Sequence, residues 1–166
     1  MQSITLISLG IAPAIGLLTW FYLKRNRSGE LSRNLLSLLI LGAIGASLFM
    51  VAACLSDLLG INALKNLKRI LFFSFVTLAV SAEAGKFLAL RFGTSGNGGK
   101  TSPLDSILFS GMVSVGYATI AIPLFVFNFC GIAYYLPLNL FIYSYIPANL
   151  IFAVILGFFN GISPHS

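Results

Sequence analysis

Residues 71–90 read LFFSFVTLAVSAEAGKFLAL, an apolar run interrupted by two charges, Glu83 and Lys86. About twenty apolar residues are what a helix needs to cross the hydrocarbon core of a bilayer. In lipid every backbone N–H and C=O must be satisfied by the chain itself, so a spanning segment is a helix or a strand of a closed barrel. The run shows no alternation of period two, which leaves the helix. Runs of this kind fill most of the sequence. Of 166 residues, 58% are hydrophobic and 8% are charged, and the mean hydropathy is +0.97. Soluble domains carry roughly a quarter charged residues. The class is therefore an integral membrane protein. We expect an all-α fold, a polytopic helical bundle of five or six transmembrane segments forming a single domain over residues 1–166.

The first span covers about Ser3–Leu23 and closes in Trp20-Phe21-Tyr22, followed by Lys24, Arg25 and Arg27, an aromatic-then-basic membrane exit. No basic stretch precedes it and its length fits a full span, so it reads as a retained helix rather than a signal peptide. The second covers Leu35–Leu59. Its Gly42, Ala43, Gly45 and Ala46 offer a small-residue face for close helix packing. The connector Ile61–Arg69 sets Lys65, Lys68 and Arg69 among Leu64, Leu67 and Ile70. A short interfacial helix and a plain basic loop fit it equally. The third span is Ile70–Leu90. Phe92–Thr101, FGTSGNGGKT, reads as a loop; its glycines and Lys100 do not fit GxxxxGK[ST], so it is not a phosphate loop. The fourth span opens at Ser102-Pro103-Leu104-Asp105, with a cap, a proline at the first position and an acid in the first turn. It runs to about Phe127, and Pro123 is expected to kink or end it. Asn128–Tyr145 mixes apolar residues with Asn128, Gly131, Pro137, Asn139 and four tyrosines. It reads as a broken or re-entrant helix, or as a tilted fifth span. Pro147 is expected to open a last helix, Ala148–Asn160.

The net charge is +6. The cations lie between apolar runs, where they set topology and meet anionic lipid head groups, so no nucleic-acid partner is expected. The loops after spans one and three hold Lys24, Arg25, Arg27, Arg33, Arg91 and Lys100, against Lys65, Lys68 and Arg69 after span two. This distribution predicts that the first pair of loops is cytoplasmic and the N-terminus outside. Cys54 and Cys130 both lie in apolar runs and are expected to be buried thiols rather than a disulfide. No HExxH, GxSxG or His/Cys cluster occurs, and the one histidine is His165. No metal and no cofactor is expected.

Glu83 and Lys86 stand three apart, on one face of a helix. Ionisable groups within a membrane segment are rare and usually functional. One reading is a buried ion pair that ties helices together. The other is a carboxyl poised for catalysis or transport, on which burial and a neighbouring cation act in opposite senses. Spacing alone does not choose between them. Asp105 suits a helix N-terminus, Asp57 suits the interface, and Asn149, just after Pro147, suits a polar contact at a helix start.

Five segments, in order, resemble the PrsW family of glutamic-type intramembrane proteases, relatives of the CAAX-processing protease group. Ile11-Ala12-Pro13-Ala14 through Tyr22 looks like its first span. Ala82-Glu83-Ala84-Gly85-Lys86-Phe87 looks like its EExxK motif, and Pro103-Leu104-Asp105-Ser106-Ile107 like its PxDGI segment. Gly116-Tyr117-Ala118-Thr119-Ile120-Ala121 is similar to GFAxxEN, and Ile146-Pro147-Ala148-Asn149 through Gly157 to PxHxxF…G. The departures fall on the polar positions. The family's first motif glutamate falls on Ala82, its later glutamate on Ala121, the following asparagine on Ile122 and its histidine on Asn149. The resemblance implies a fold that cleaves membrane-anchored substrate proteins, using glutamates and a histidine to activate water, with a base and an oxyanion stabiliser in one pocket. In this chain it implies a disabled centre. Glu83 would be the retained carboxylate and Lys86 its charge partner, with Ala82, Ala121 and Asn149 marking the rest, all converging on a cavity open to the cytoplasmic side. A deliberately inactivated protein and a natural pseudoprotease both fit these departures. The rival readings are a non-catalytic membrane scaffold and a small transporter using Glu83 and Lys86 as a proton or ion site. No inverted repeat, common in transporters, relates the two halves.

Overall fold

The computed structural model describes residues 2–26, 29–60, 66–94, 103–130 and 138–162. Five helices account for nearly all of them: α1 (Gln2–Asn26), α2 (Gly29–Leu58), α3 (Leu67–Thr94), α4 (Pro103–Val126) and α5 (Leu138–Ile162). No strand occurs among the described residues. Asn34–Leu58, α3 and α4 are each long and apolar enough to cross a membrane, and Gly10–Tyr22 and Pro147–Ile162 are shorter apolar stretches. Twenty-five helical residues span about 37 Å, enough for the hydrocarbon core with some tilt. The protein is an all-α membrane bundle.

The faces of the helices fit lipid rather than water. On α2, Ile40, Ile44, Leu48, Val51 and Leu55 form an exposed stripe, while Leu35, Leu38, Ala46, Phe49 and Ala53 are buried. Both stripes follow the three-and-four spacing of one helix face. The α4 helix is the hub and packs against the other four, while α3 lies mainly on α2. The expected small-residue face of α2 makes these contacts. A Cβ added at Gly42 would strike the main-chain oxygen of Val113, one at Gly116 that of Leu39, and one at Gly45 would sit 2.7 Å from the Gly85 oxygen. Backbones this close gain dispersion contact along their length, which is what holds helices together in lipid.

Helix ends differ from the sequence reading in three places. The residues from Leu67 to Arg69 are the first turn of α3 rather than part of a separate connector helix; residues 61–65 lie outside the described region. Pro123 does not end α4, which continues to Val126. Asn128 follows at φ 53°, the left-handed conformation that commonly stops a helix. Pro147 does not open the last helix but lies inside α5, which begins at Leu138. Proline is tolerated inside membrane helices because neighbouring groups can satisfy the carbonyl it frees. The segment read as broken therefore divides: residues 131–137 lie outside the described region, and residues 138–145 are α5.

Two features had no sequence signal. Phe73–Val80 within α3 is π-helical, with the Ser81 N–H bonded to the Val76 oxygen. In this stretch the Ser81 hydroxyl donates to the Thr77 carbonyl oxygen, and the Thr77 and Ser56 hydroxyls are 2.7 Å apart, joining α3 to α2 in the buried interior. The second feature corrects the expectation of free thiols. Cys54 and Cys130 form a disulfide, with Cα atoms 5.2 Å apart, that ties the end of α2 to the chain after α4.

Candidate functional site

Lys86 is the most enclosed charge among the described residues: its side chain is 2% exposed, against 36% for Glu83. The π-helical stretch ends at Val80, and α3 then turns Ala82, Glu83, Gly85 and Lys86 towards the bundle within about one and a half turns. Gly85 lets α3 approach α2 closely, and this brings the Lys86 stem into the interior. An ammonium carries three donors and needs acceptors when desolvated. Lys86 Nζ donates to Glu83 Oε1 at 2.6 Å and to Asn149 Oδ1 at 2.7 Å. It also lies 5.5 Å from the centre of the Tyr117 ring, within the range in which the ring face attracts a cation.

Asn149 is not at the start of the last helix but well inside α5. Its amide works in both directions, accepting from Lys86 and donating through Nδ2 to the Ser114 main-chain oxygen at 3.1 Å. The side chain thus links α3, α4 and α5 in the middle of the bundle. The α3 and α5 helices do not pack along their lengths, so the Lys86–Asn149 bond bridges them across α4.

Ala82 and Ala121 belong to one buried cluster with Phe49, Tyr117 and Phe125, from α2, α3 and α4. The Tyr117 ring meets Phe49 edge to face, with centroids 6.4 Å apart. Tyr117 thus touches both halves of the arrangement, the polar one through Lys86 and the apolar one through Ala82 and Ala121. Lys86, Ala82 and Ala121 gather around it, and Glu83 and Asn149 join the group through Lys86. Cys130 and Tyr145 pack at the edge of the same cluster.

Other polar residues in this region carried weak sequence signals. Ser106, Ser110 and Ser114 are fully buried on α4, and their regular spacing of four in an apolar helix was the available sign. Ser106 Oγ and Asn160 Nδ2 of α5 are 3.0 Å apart. Asp57 and Arg91 lie at the exposed ends of their helices, and Asp105 occupies the first turn of α4. Among the described residues no three of His, Cys, Asp and Glu gather in a way that could hold a metal ion.

The centre, as arranged, holds a lysine committed to two acceptors, a carboxylate bound to that lysine, and two buried alanines beside them. Among curated proteins, the chain is similar to one described as Protease PrsW from Geobacillus kaustophilus (strain HTA426), with 28% identity over 116 residues, covering 70% of this chain and 49% of the relative. The chain spans about half the length of the curated relative it matches. No family model matches it, and no solved structure matches it.

Proposed function

We propose that this chain is a PrsW-like membrane protein that binds membrane-anchored proteins without cutting them, its peptidase centre replaced by a closed polar tie. The observation that carries this reading is the double commitment of Lys86 to Glu83 and Asn149 beside the apolar pair Ala82 and Ala121. Peptide hydrolysis needs a base to take the proton of an attacking water and donors for the oxyanion that follows. Glu83 is the one carboxylate at the centre, and its Oε1 is held by Lys86. Asn149 is no base. Ala82 and Ala121 offer neither role. Similarity to a protease over most of the chain supports the scaffold's ancestry, and the loss of polar groups supports binding without chemistry.

The test uses the full chain in proteoliposomes with a membrane-anchored reporter. The unaltered chain is expected to crosslink to the reporter and leave it intact. The triple variant A82E/A121E/N149H is expected to cut it, and adding E83Q to that variant should abolish cutting. Reporter cleavage by the unaltered chain, lost in E83Q, overturns the non-cleaving reading. Absence of crosslinking to any anchored reporter overturns the binding reading.

For placement, we propose a bacterial plasma membrane with the N-terminus outside and the basic loops against anionic lipid on the cytoplasmic face. Two features support this orientation. The cations of the α1–α2 and α3–α4 loops outnumber those of the α2–α3 loop. The disulfide joins the ends of α2 and α4, which two and four crossings both put on the N-terminal face, and disulfides persist on the oxidising side of a membrane. A membrane-impermeant reductant added to intact cells is expected to open the Cys54–Cys130 bond. Resistance in intact cells together with reduction in inverted vesicles reverses the orientation.

A further inference from the structure

The polar side chains of α4 do not stop at the centre. Ser106, Ser110 and Ser114 are each fully buried and follow one another four residues apart. At one end of the row Asn160 Nδ2 of α5 meets Ser106 Oγ, and at the other Asn149 Nδ2 of α5 donates to the main-chain oxygen of Ser114. Residues at this spacing drift by about 40° per step on a helix, so Ser110 lies between its two neighbours on the same face. The opposing face of α5 is built from small groups. Between Asn149 and Asn160 it presents Ala153, buried, and Gly157, whose added Cβ would lie 2.6 Å from the Ile107 Cα. Beside these small groups Leu156 packs on a buried cluster that includes Phe109, Met112 and Val113 of α4, and so borders the seam.

Within this close-packed seam, hydrogen bonding is incomplete. Ser110 Oγ, Ser114 Oγ and the Tyr117 hydroxyl are buried without a hydrogen-bond partner. Such orphans are uncommon in folded proteins and each calls for a physical account. The row also has direction. It starts one turn from the exposed Pro103 and Leu104 at the beginning of α4 and ends, about 12 Å further along the helix, where Asn149 meets Lys86 and Glu83.

We propose that the α4–α5 seam is a hydration path, along which water entering at the start of α4 reaches the Glu83–Lys86 pair. The ligand is water itself, taken in single file by the serine hydroxyls, each of which can donate once and accept twice. Parting of α5 from α4 at the Gly157 end separates Gly157 and Ala153 from the serine row and shifts the partly buried Leu156, and it gives Ser110, Ser114 and Tyr117 the partners they lack. Asn149 is the inner stop, since its two bonds hold α5 to α3 and α4. The path does not depend on whether the centre cuts peptides, so it stands or falls apart from the binding reading above.

Both native cysteines are joined in the disulfide, so a single introduced cysteine is the one free thiol. S110C and S114C, in sealed vesicles, are expected to react with a small, charged, membrane-impermeant methanethiosulfonate at least tenfold faster than M112C, which is buried on the opposite face of α4. The reaction is expected from the face on which α4 begins. Rates for S110C and S114C no faster than M112C overturn the path, and reaction from the opposite face alone overturns its direction. In the unsubstituted protein in bilayers, water-edited solid-state NMR is expected to transfer magnetisation to Ser110 and Ser114 ahead of Met112. Equal transfer to all three overturns the proposal even if the cysteine variants fail to fold.

Discussion

An ammonium inside a bilayer is tolerable only with acceptors around it, and Lys86 takes one from its own helix and one from α5. Removing one member of a buried charged pair costs more than removing both, because the survivor keeps its desolvation penalty without its partner. E83M, which strands the buried Lys86, is therefore expected to lower unfolding stability in detergent by about 3 kcal/mol, and K86M/E83M to recover most of that loss. A double variant no more stable than E83M excludes the ion pair as the source of the effect. N149A removes two hydrogen bonds and strands Lys86 and the Ser114 carbonyl. It is expected to cost about 1–3 kcal/mol, with the same unfolding assay as the check. The sequence revealed these residues unevenly. Glu83 and Lys86 stood out as the two charges of an apolar run, whereas Asn149 read only as a polar contact at a helix start until the family resemblance marked it. Tyr117, Ser110 and Ser114 did not stand out, because hydroxyl-bearing residues are ordinary in membrane helices and their burial depends on which helix faces them.

At the scale of helices, close approach decides stability, and glycines such as Gly42, Gly45, Gly85 and Gly116 set it. An alanine in place of glycine inside a helix gains roughly 1 kcal/mol of intrinsic propensity. G42A and G116A would nonetheless press a methyl against the main-chain oxygen of the neighbouring helix, so both are expected to lower the melting temperature. At Gly111 an added Cβ meets nothing within 4 Å. G111A is expected to keep or raise the melting temperature, and a loss there as large as at Gly42 overturns the close-approach account. The spans and the small-residue face of α2 were legible because bilayer thickness and 3.6-residue periodicity leave direct marks on a sequence. The ends of α5 and the π-helical turns of α3 were not. Pro147 carries the same local signal at a helix start as in a membrane-helix interior, and the difference is whether nearby groups satisfy the freed carbonyl. The π-helical stretch follows from Ser56, Thr77 and Ser81 meeting in the interior, a contact between helices that one run of residues does not encode.

For the whole molecule, the disulfide was the least legible feature, since two cysteines 76 positions apart in apolar runs look alike whether paired or free. Its removal in C54S/C130S is expected to lower stability by about 2–4 kcal/mol relative to the oxidised wild type, measured by unfolding in detergent, with the reduced wild type matching the variant. The bond has a topological consequence as well. It closes the chain into a covalent ring running from the end of α2, through α3 and α4, and back. Glu83, Lys86, Ala82, Tyr117, Ala121 and the three buried serines all ride on that ring, and Asn149 comes to it from outside, on an α5 joined by one strand of chain. A protease site engineered into residues 95–102 should therefore yield a nicked protein that migrates as one species until it is reduced, while a cut between Cys130 and Leu138 should free α5 at once. The molecule is thus a closed loop with a detachable arm, and an α5 supplied as a separate peptide is the natural way to ask what the loop does alone.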